Sequence, residues 1–235
     1  MRIDVGIAKS EKYASRESGD TVELVERPRG GISVVMIDGQ GSGRAAKTLS
    51  LLLSSKAVAL IKEGVRDGVV ARATHDFLFA FRHGQVSATL DLLSVDLQTR
   101  TVVVTRNAQS PMLVCDASGC RVEDMNTAPI GVYEWTKPEV RQLPMQGGLR
   151  ILLFTDGVTH SGMRRGAPPI DFLQLCRDVL PQGHSAQEMA DAVHAFSVAR
   201  DGGRSSDDVA VVALVIDDID ESAIVRRMQA QIPLP

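Results

Sequence analysis

The chain has 235 residues, of which 44% are hydrophobic and 23% charged, and a net charge of −3. That is enough apolar material for one substantial core, in an ordinary globular proportion. A slightly acidic chain with 4% aromatic residues offers neither the positive field nor the stacking platform of a nucleic-acid binder.

The opening residues, MRIDVGIAKSEKY, carry no apolar segment of the signal-peptide kind. No apolar run approaches the ~20 residues that span a bilayer. The reading is a cytoplasmic chain that engages no membrane. Strands are expected at 2–8, 20–27 and 32–37, the last two joined by the turn PRGG. A glycine loop, 39–43, follows. Residues 44–63 read as a helix closed by Gly64. Residues 69–82 read as a second helix closed by Gly84, with Val70, His75, Leu78 and Phe81 close to one face.

The middle of the chain alternates instead. VSATLDLLSVDL and TVVVTR flank the turn QTR, and PMLVCD and CRVEDM bracket ASG, as hairpins do. Cys115 and Cys120 flank the turn DASG and could face each other across it. With Cys176 they are odd in number and lack metal-like spacing, so three reduced thiols are expected. EVRQLPM and RILLFTD read as two more strands. IDFLQLCRDVL and SAQEMADAVHAFSVA read as helices capped by Asp171 and Ser185. DDVAVVALVID reads as a last buried strand, and 217–235 as a helical or flexible tail. Alternating strand–helix units are absent, which disfavours a doubly wound parallel sheet. Two antiparallel sheets with helix pairs outside them fit the order, in one domain spanning 1–235.

The loop DGQGSG invites two phosphate readings, and neither fits. A dinucleotide fingerprint requires an acidic residue ending a second strand, but a helix stands there. A P-loop requires Gly-Lys-Ser/Thr, but Ala46 precedes Lys47 and the lysine lies inside the helix. Asp38 counts against both, since a bare carboxylate at a strand end repels phosphate unless a cation lies between. Other carboxylates converge on it. The PRGG hairpin places Asp20 beside Asp38. Asp156-Gly157 ends the strand ILLFT, and Asp207 or Asp208 starts the last strand. Four aspartates at strand ends form the oxygen-rich set that a pair of hard cations requires. Glycine after aspartate lets a backbone carbonyl approach an ion closely. Any one Asp-Gly alone reads as a turn.

The order GD, strand-DG-x-GSG, FTDG, DD-V-x-V-V resembles the metal-dependent protein serine/threonine phosphatases (the PPM or type 2C family), in their SpoIIE-like, RsbX-type branch. TVVVTRNAQSPMLV and TAPIGV also fit that branch, and the resemblance covers roughly residues 15–216. It implies an α+β fold, a four-layer αββα sandwich. It also implies two Mn²⁺ or Mg²⁺ ions with a hydroxide between them that attacks phosphorus in line. Asp38 would bridge both ions. The Gly39 carbonyl would hold the first, with Asp20 helping directly or through water, and Asp156 and Asp207 the second. Asp207 is chosen over Asp208 because the family's ligand is the first of that pair. The Gly41, Ser42 and Gly43 amides would orient the phosphate or its metal-bound waters. The implied substrate is a phosphorylated signalling protein, a STAS-domain protein of the stressosome or anti-anti-sigma kind. The alternative is a pseudophosphatase that binds phosphoprotein without turnover.

Some residues depart from the family. Gln40 stands where many eukaryotic relatives carry a proton-donating histidine, so the general acid is unassigned. Arg16 matches a phosphate-gripping basic residue by position only. His75 reads as a satisfied core histidine and His160 as a loop histidine near the site. Arg164-Arg165 reads as a solvated loop that could instead meet an acidic or phosphorylated partner.

Overall fold

The computed structural model describes residues 1–124, 127–180, 185–218 and 225–232. The chain opens with β1 (Arg2–Ser10), then β2 (Asp20–Glu26) and β3 (Ile32–Gly39). Two helices follow, α1 (Gly43–Lys62) and α2 (Asp67–Arg82). Then come β4 (Ala88–Asp96), β5 (Thr101–Asn107), β6 (Met112–Asp116), β7 (Gly119–Glu123), β8 (Glu139–Pro144) and β9 (Leu149–Phe154). The one-turn helix α3 (Asp156–Thr159), α4 (Phe172–Val179), α5 (Ala186–Arg200) and β10 (Val209–Asp217) complete the order.

Each sheet has five strands, in the orders β1-β10-β9-β6-β7 and β2-β3-β4-β5-β8, and every pairing is antiparallel. The alternation of each strand divides its side chains between two layers. Val34, Met36, Leu93 and Val104 from one sheet meet Val114, Ile151, Val212 and Leu214 from the other, which fills the middle of the sandwich. The opposite faces carry the helices. Leu49, Leu53, Ala57 and Ile61 of α1, with Val70 and Leu78 of α2, cover Val35, Ile37, Leu90 and Leu92. Leu175 and Cys176 of α4, with Met189 and Val193 of α5, cover Leu152, Phe154, Val211 and Ala213. This is the αββα arrangement the sequence implied.

The expected caps form. Asp171 accepts from the Gln174 amide at 2.9 Å, and Ser185 closes a capping box with Glu188. Two expectations shift. The turn ending α2 starts at His83, left-handed at φ 52°, one residue before Gly84. Phe81, in the last turn of α2, is half exposed, stacked on Phe77 at 5.7 Å instead of lining the core.

The cysteines differ from three free thiols. The register of β6 with β7 sets Cys115 opposite Cys120 with Cα atoms 4.1 Å apart, and the two form a disulfide. Cys176 remains a free, buried thiol, 3.9 Å from the Cys115 sulfur. In the tail, residues 225–232 form no helix or strand, and Arg226 reaches Glu26 at 3.1 Å. The rest of the tail beyond residue 218 lies outside the described residues. Among the described residues no helix is long and apolar enough to cross a membrane.

Candidate metal centre

Hairpin register brings the first two aspartates together. Asp20 opens β2 and pairs directly with Asp38 near the end of β3. Both point to the side of Val22 and Met36, which pack in the middle layer. In the other sheet β9 and β10 run antiparallel, with Phe154 opposite Val211. Asp156, just past the end of β9, and Asp207, just before β10, therefore share one sheet end. Thr155 joins the two sheets there. Its hydroxyl donates to Asp20 Oδ2 at 3.0 Å and accepts from the Ala210 amide at 3.0 Å.

The glycines beside these aspartates are not turn glycines. Gly39 lies within β3 and Gly157 within α3, and neither has positive φ. A Cβ on Gly39 would stand 2.6 Å from the Ala46 carbonyl oxygen, and one on Gly157 would stand 2.0 Å from that of Asp208. Close backbone approach demands glycine at both positions. It presses α1 onto the end of β3, and α3 onto the start of β10.

Burial and like charge dominate the electrostatics. Asp38 is pushed up to about 9, first by burial and then by Asp20, Asp156, Asp207 and Asp208. Burial likewise lifts Asp20 to about 7. Its hydrogen bond from Thr155 opposes that rise, and Asp208 adds to it. Burial, Asp207 and Asp208 raise Asp156, while His160 opposes. The nearby ammonium groups face the backbone of Asp20. Lys9 donates to the Asp20 carbonyl at 2.7 Å and Lys47 donates to it at 3.0 Å. Burial, with Lys47 next, lowers Lys9 to about 8. Lys47 is thus a tether between α1 and β2.

Asp207 and Asp208 have different surroundings. Asp208 is buried, and its two carboxylate oxygens accept from the Lys12 amide at 2.9 Å and the Gly19 amide at 2.8 Å. Asp207 accepts at Oδ1 from the Asp208 amide at 3.0 Å, and no hydrogen bond to its Oδ2 occurs among the described residues. Sequence reasoning missed the strap role of Asp208, because it depends on contacts 189 and 196 residues away in the chain.

The other singled-out residues fall around or away from this centre. Gln40 is pinned to the loop before β4, its side-chain oxygen accepting from the Ser87 amide at 2.8 Å. His160 Nδ1 stands 3.4 Å from Asp156 Oδ2 on the exposed rim. His75 is buried. Its Nδ1 accepts from the Gly131 amide at 3.0 Å and its Nε2 faces the Glu134 carbonyl at 3.4 Å, so it is a satisfied core histidine. Arg16 is exposed. Gly41, Ser42 and Gly43 form an open lip at the start of α1, and a Cβ on either glycine would meet nothing within 4 Å. Asn107 ties the two middle motifs together, donating to the Ala128 and Lys137 carbonyls at 3.0 and 3.2 Å.

The donor set consists of carboxylate and carbonyl oxygens, which suits Mg²⁺ or Mn²⁺ and not a soft metal. Among the described residues, the three metal-capable side chains that lie within 4.8 Å of one another are Cys115, Cys120 and Cys176.

A family model described as Stage II sporulation protein E (SpoIIE) matches residues 28–217. Stage II sporulation protein E of Bacillus subtilis (strain 168) is 21% identical over 219 residues, which is 92% of this chain and 26% of that protein. The chain thus spans about a quarter of the length of the curated relatives it matches. A solved structure of the PP2C phosphatase domain and a fragment of the regulatory domain of B. subtilis SpoIIE superposes with a TM-score of 0.80. It is 22% identical, and the match covers 92% of this chain and 64% of that one. RsbX in complex with magnesium superposes with a TM-score of 0.69. It is 14% identical, and the match covers 90% of this chain and 94% of that one.

Proposed function

Because the chain belongs to the SpoIIE family, whose model spans most of its length, we propose that it is a metal-dependent protein phosphatase. It hydrolyses phosphoserine or phosphothreonine on a signalling protein. The observation that carries this reading is Asp38. Burial and then four other carboxylates raise its pKa, and divalent cations are the remedy for such a buried cluster.

In this reading Asp38, Asp20, Asp156, Asp207 and the Gly39 carbonyl would hold two Mn²⁺ or Mg²⁺ ions, Gly39 and Asp20 serving the first and Asp156 and Asp207 the second. The bound ions lower the pKa of water and neutralise charge on the phosphoryl oxygens. The chain's own groups supply position. Thr155 fixes one oxygen of Asp20, leaving the other to point into the site. Asp208, bonded to Lys12 and Gly19, holds the segment carrying Asp207 against the segment carrying Asp20. The open amides of Gly41, Ser42 and Gly43 receive the phosphate oxygens. The substrate that the resemblance in the sequence implies is a STAS-domain protein, of the stressosome or anti-anti-sigma kind.

A second reading rests on Gln40. It has no ionisable proton and is held by Ser87, which would leave the serine oxygen without a donor and the chain as a phosphoprotein-binding module.

Hydrolysis of para-nitrophenyl phosphate and of a phosphorylated STAS-domain protein, each with Mn²⁺, Mg²⁺ or a chelator, separates the two. Turnover that requires metal and is lost in Asp38→Ala supports the phosphatase. Metal-independent phosphoprotein binding without turnover, joined to absence of metal binding by calorimetry, would overturn it in favour of the binding module.

A further inference from the structure

Beside the aspartates lies a cleft of about 310 Å³ whose rim includes Lys12, Arg164, Arg165 and Arg204, with Tyr13 and Asp201. It shares its backbone with the metal centre. The Lys12 amide donates to Asp208, the Tyr13 amide donates to the Ser205 carbonyl at 2.9 Å, and Ser206 on the cleft wall immediately precedes Asp207. The arginine pair sits on a 3₁₀ turn, Met163–Arg165, whose first amide donates to the His160 carbonyl at 3.2 Å.

Four cations face one carboxylate, and that carboxylate is already engaged. Asp201 accepts from the Gly162 amide at 2.7 Å and the Ser206 amide at 2.6 Å. Neutral packing, not counter-charge, holds two of the arginines. The Arg204 guanidinium lies 4.8 Å above the Tyr13 ring. The Arg165 guanidinium packs on Gly202, where a Cβ would come within 2.7 Å of it. Among the described residues no carboxylate forms an ion pair with any of the four, though Arg164 bears electrostatically on Asp201. The cleft is a positive patch of pre-positioned donors on an otherwise acidic chain.

We propose that this cleft docks an acidic segment of the phosphoprotein substrate, aspartate or glutamate side chains a few residues from the phosphorylated one. The occupant's identity rests on the phosphatase reading above; the charge complementarity does not. An extended peptide advances ~3.3 Å per residue. Side chains two to four positions from a phosphoserine held at the aspartates therefore lie ~7–13 Å beyond it, on the side where the cleft begins, at Ser206, one residue from Asp207.

The test uses fluorescein-labelled phosphoserine peptides with acidic, alanine or lysine flanks. Binding is read by anisotropy in chelator, and hydrolysis by phosphate release with Mn²⁺. The acidic flank should bind about tenfold tighter than the alanine flank, as two or three partly exposed ion pairs allow. The preference should fade with salt. The triple variant Arg164→Ala/Arg165→Ala/Arg204→Ala should lose it, and Arg165→Glu should shift preference toward the lysine flank. Equal binding of all flanks by the parent chain overturns the proposal. So does a preference that survives the triple variant with its circular dichroism melt unchanged, or tighter capture of a short single-stranded oligonucleotide than of the acidic peptide. An arginine-dependent preference without hydrolysis of any peptide would sink the phosphatase reading and leave the docking site standing. Flank-independent hydrolysis would do the reverse.

Discussion

Two carboxylates stand two residues apart along the same inner face and have different surroundings. Asp91 lies opposite Met36, one step below Asp38 on β3. It receives the guanidinium of Arg106 from the neighbouring strand, and both side chains are fully buried. Asp38 instead faces Asp20 and gathers three further aspartates, while Lys9 and Lys47 turn their ammonium groups to the Asp20 backbone. The chain thus neutralises the deep carboxylate itself, whereas on the proposed reading the sheet-end carboxylates would be served by a cation from outside. Burying an unpaired charge is among the costliest acts in folding. The contrast therefore separates a carboxylate placed for structure from those placed for chemistry.

The largest effect that sharpens this contrast concerns activity. Asp38→Asn is expected to lower kcat about a thousandfold. It should also raise the melting temperature of the chelated protein at pH 8, because Asn, unlike Asp38, need not take up a proton on folding. Steady-state kinetics and a calorimetric melt check both; a fall in both would mean that Asp38 is structural. Next is the deep pair. Arg106→Met strands Asp91, at a cost of about 3–5 kcal/mol. Adding Asp91→Leu should restore most of that loss in urea unfolding, whereas no second aspartate change should rescue the activity of Asp38→Asn.

A smaller effect is pH dependence without metal. Asp20 near 7 and Asp38 near 9 stand above the ordinary 3.8. The folded chain then binds more protons than the unfolded one. That stabilisation is complete below about pH 4 and is lost as pH rises through 7 and 9. Thermal melts in chelator should fall between pH 5 and 9, and Asp38→Asn should flatten the slope. For the same reason metal binding at pH 6 should release protons, seen as a buffer-dependent heat in titration calorimetry. The smallest effect is Thr155→Val, which removes the hydroxyl between Asp20 and the Ala210 amide. It should cost about 1–2 kcal/mol and a few-fold in metal affinity by the same calorimetry.

What the sequence shows of this site depends on distance along the chain. The Asp20–Asp38 pair is legible because a four-residue turn fixes its register. Strand order and caps are legible because they depend on local periodicity and turn chemistry. Asp91 and Arg106 look like ordinary alternation in VSATLDLLSVDL and TVVVTR, and only pairing of β4 with β5 reveals an inward ion pair. The glycines at 39 and 157 suggest turns, and only the packed helix and strand reveal why a side chain cannot fit there. Cys115 and Cys120 are placed across from each other by the sequence, but their bonding is not. The proton donor stays unassigned because no local rule places one.

The strand order has a temporal meaning. The last strand, β10, lies between the first, β1, and β9, and Asp207 is carried on the segment just before it. Until β10 is made, one sheet is missing an interior member, and Asp20, Asp38 and Asp156 lack Asp207. At that stage the chain holds Asp20 beside Asp38 but an incomplete set of donors. On the proposed reading the site is therefore complete only once β10 has entered its sheet, so the last strand in the fold is also the one that finishes the chemistry.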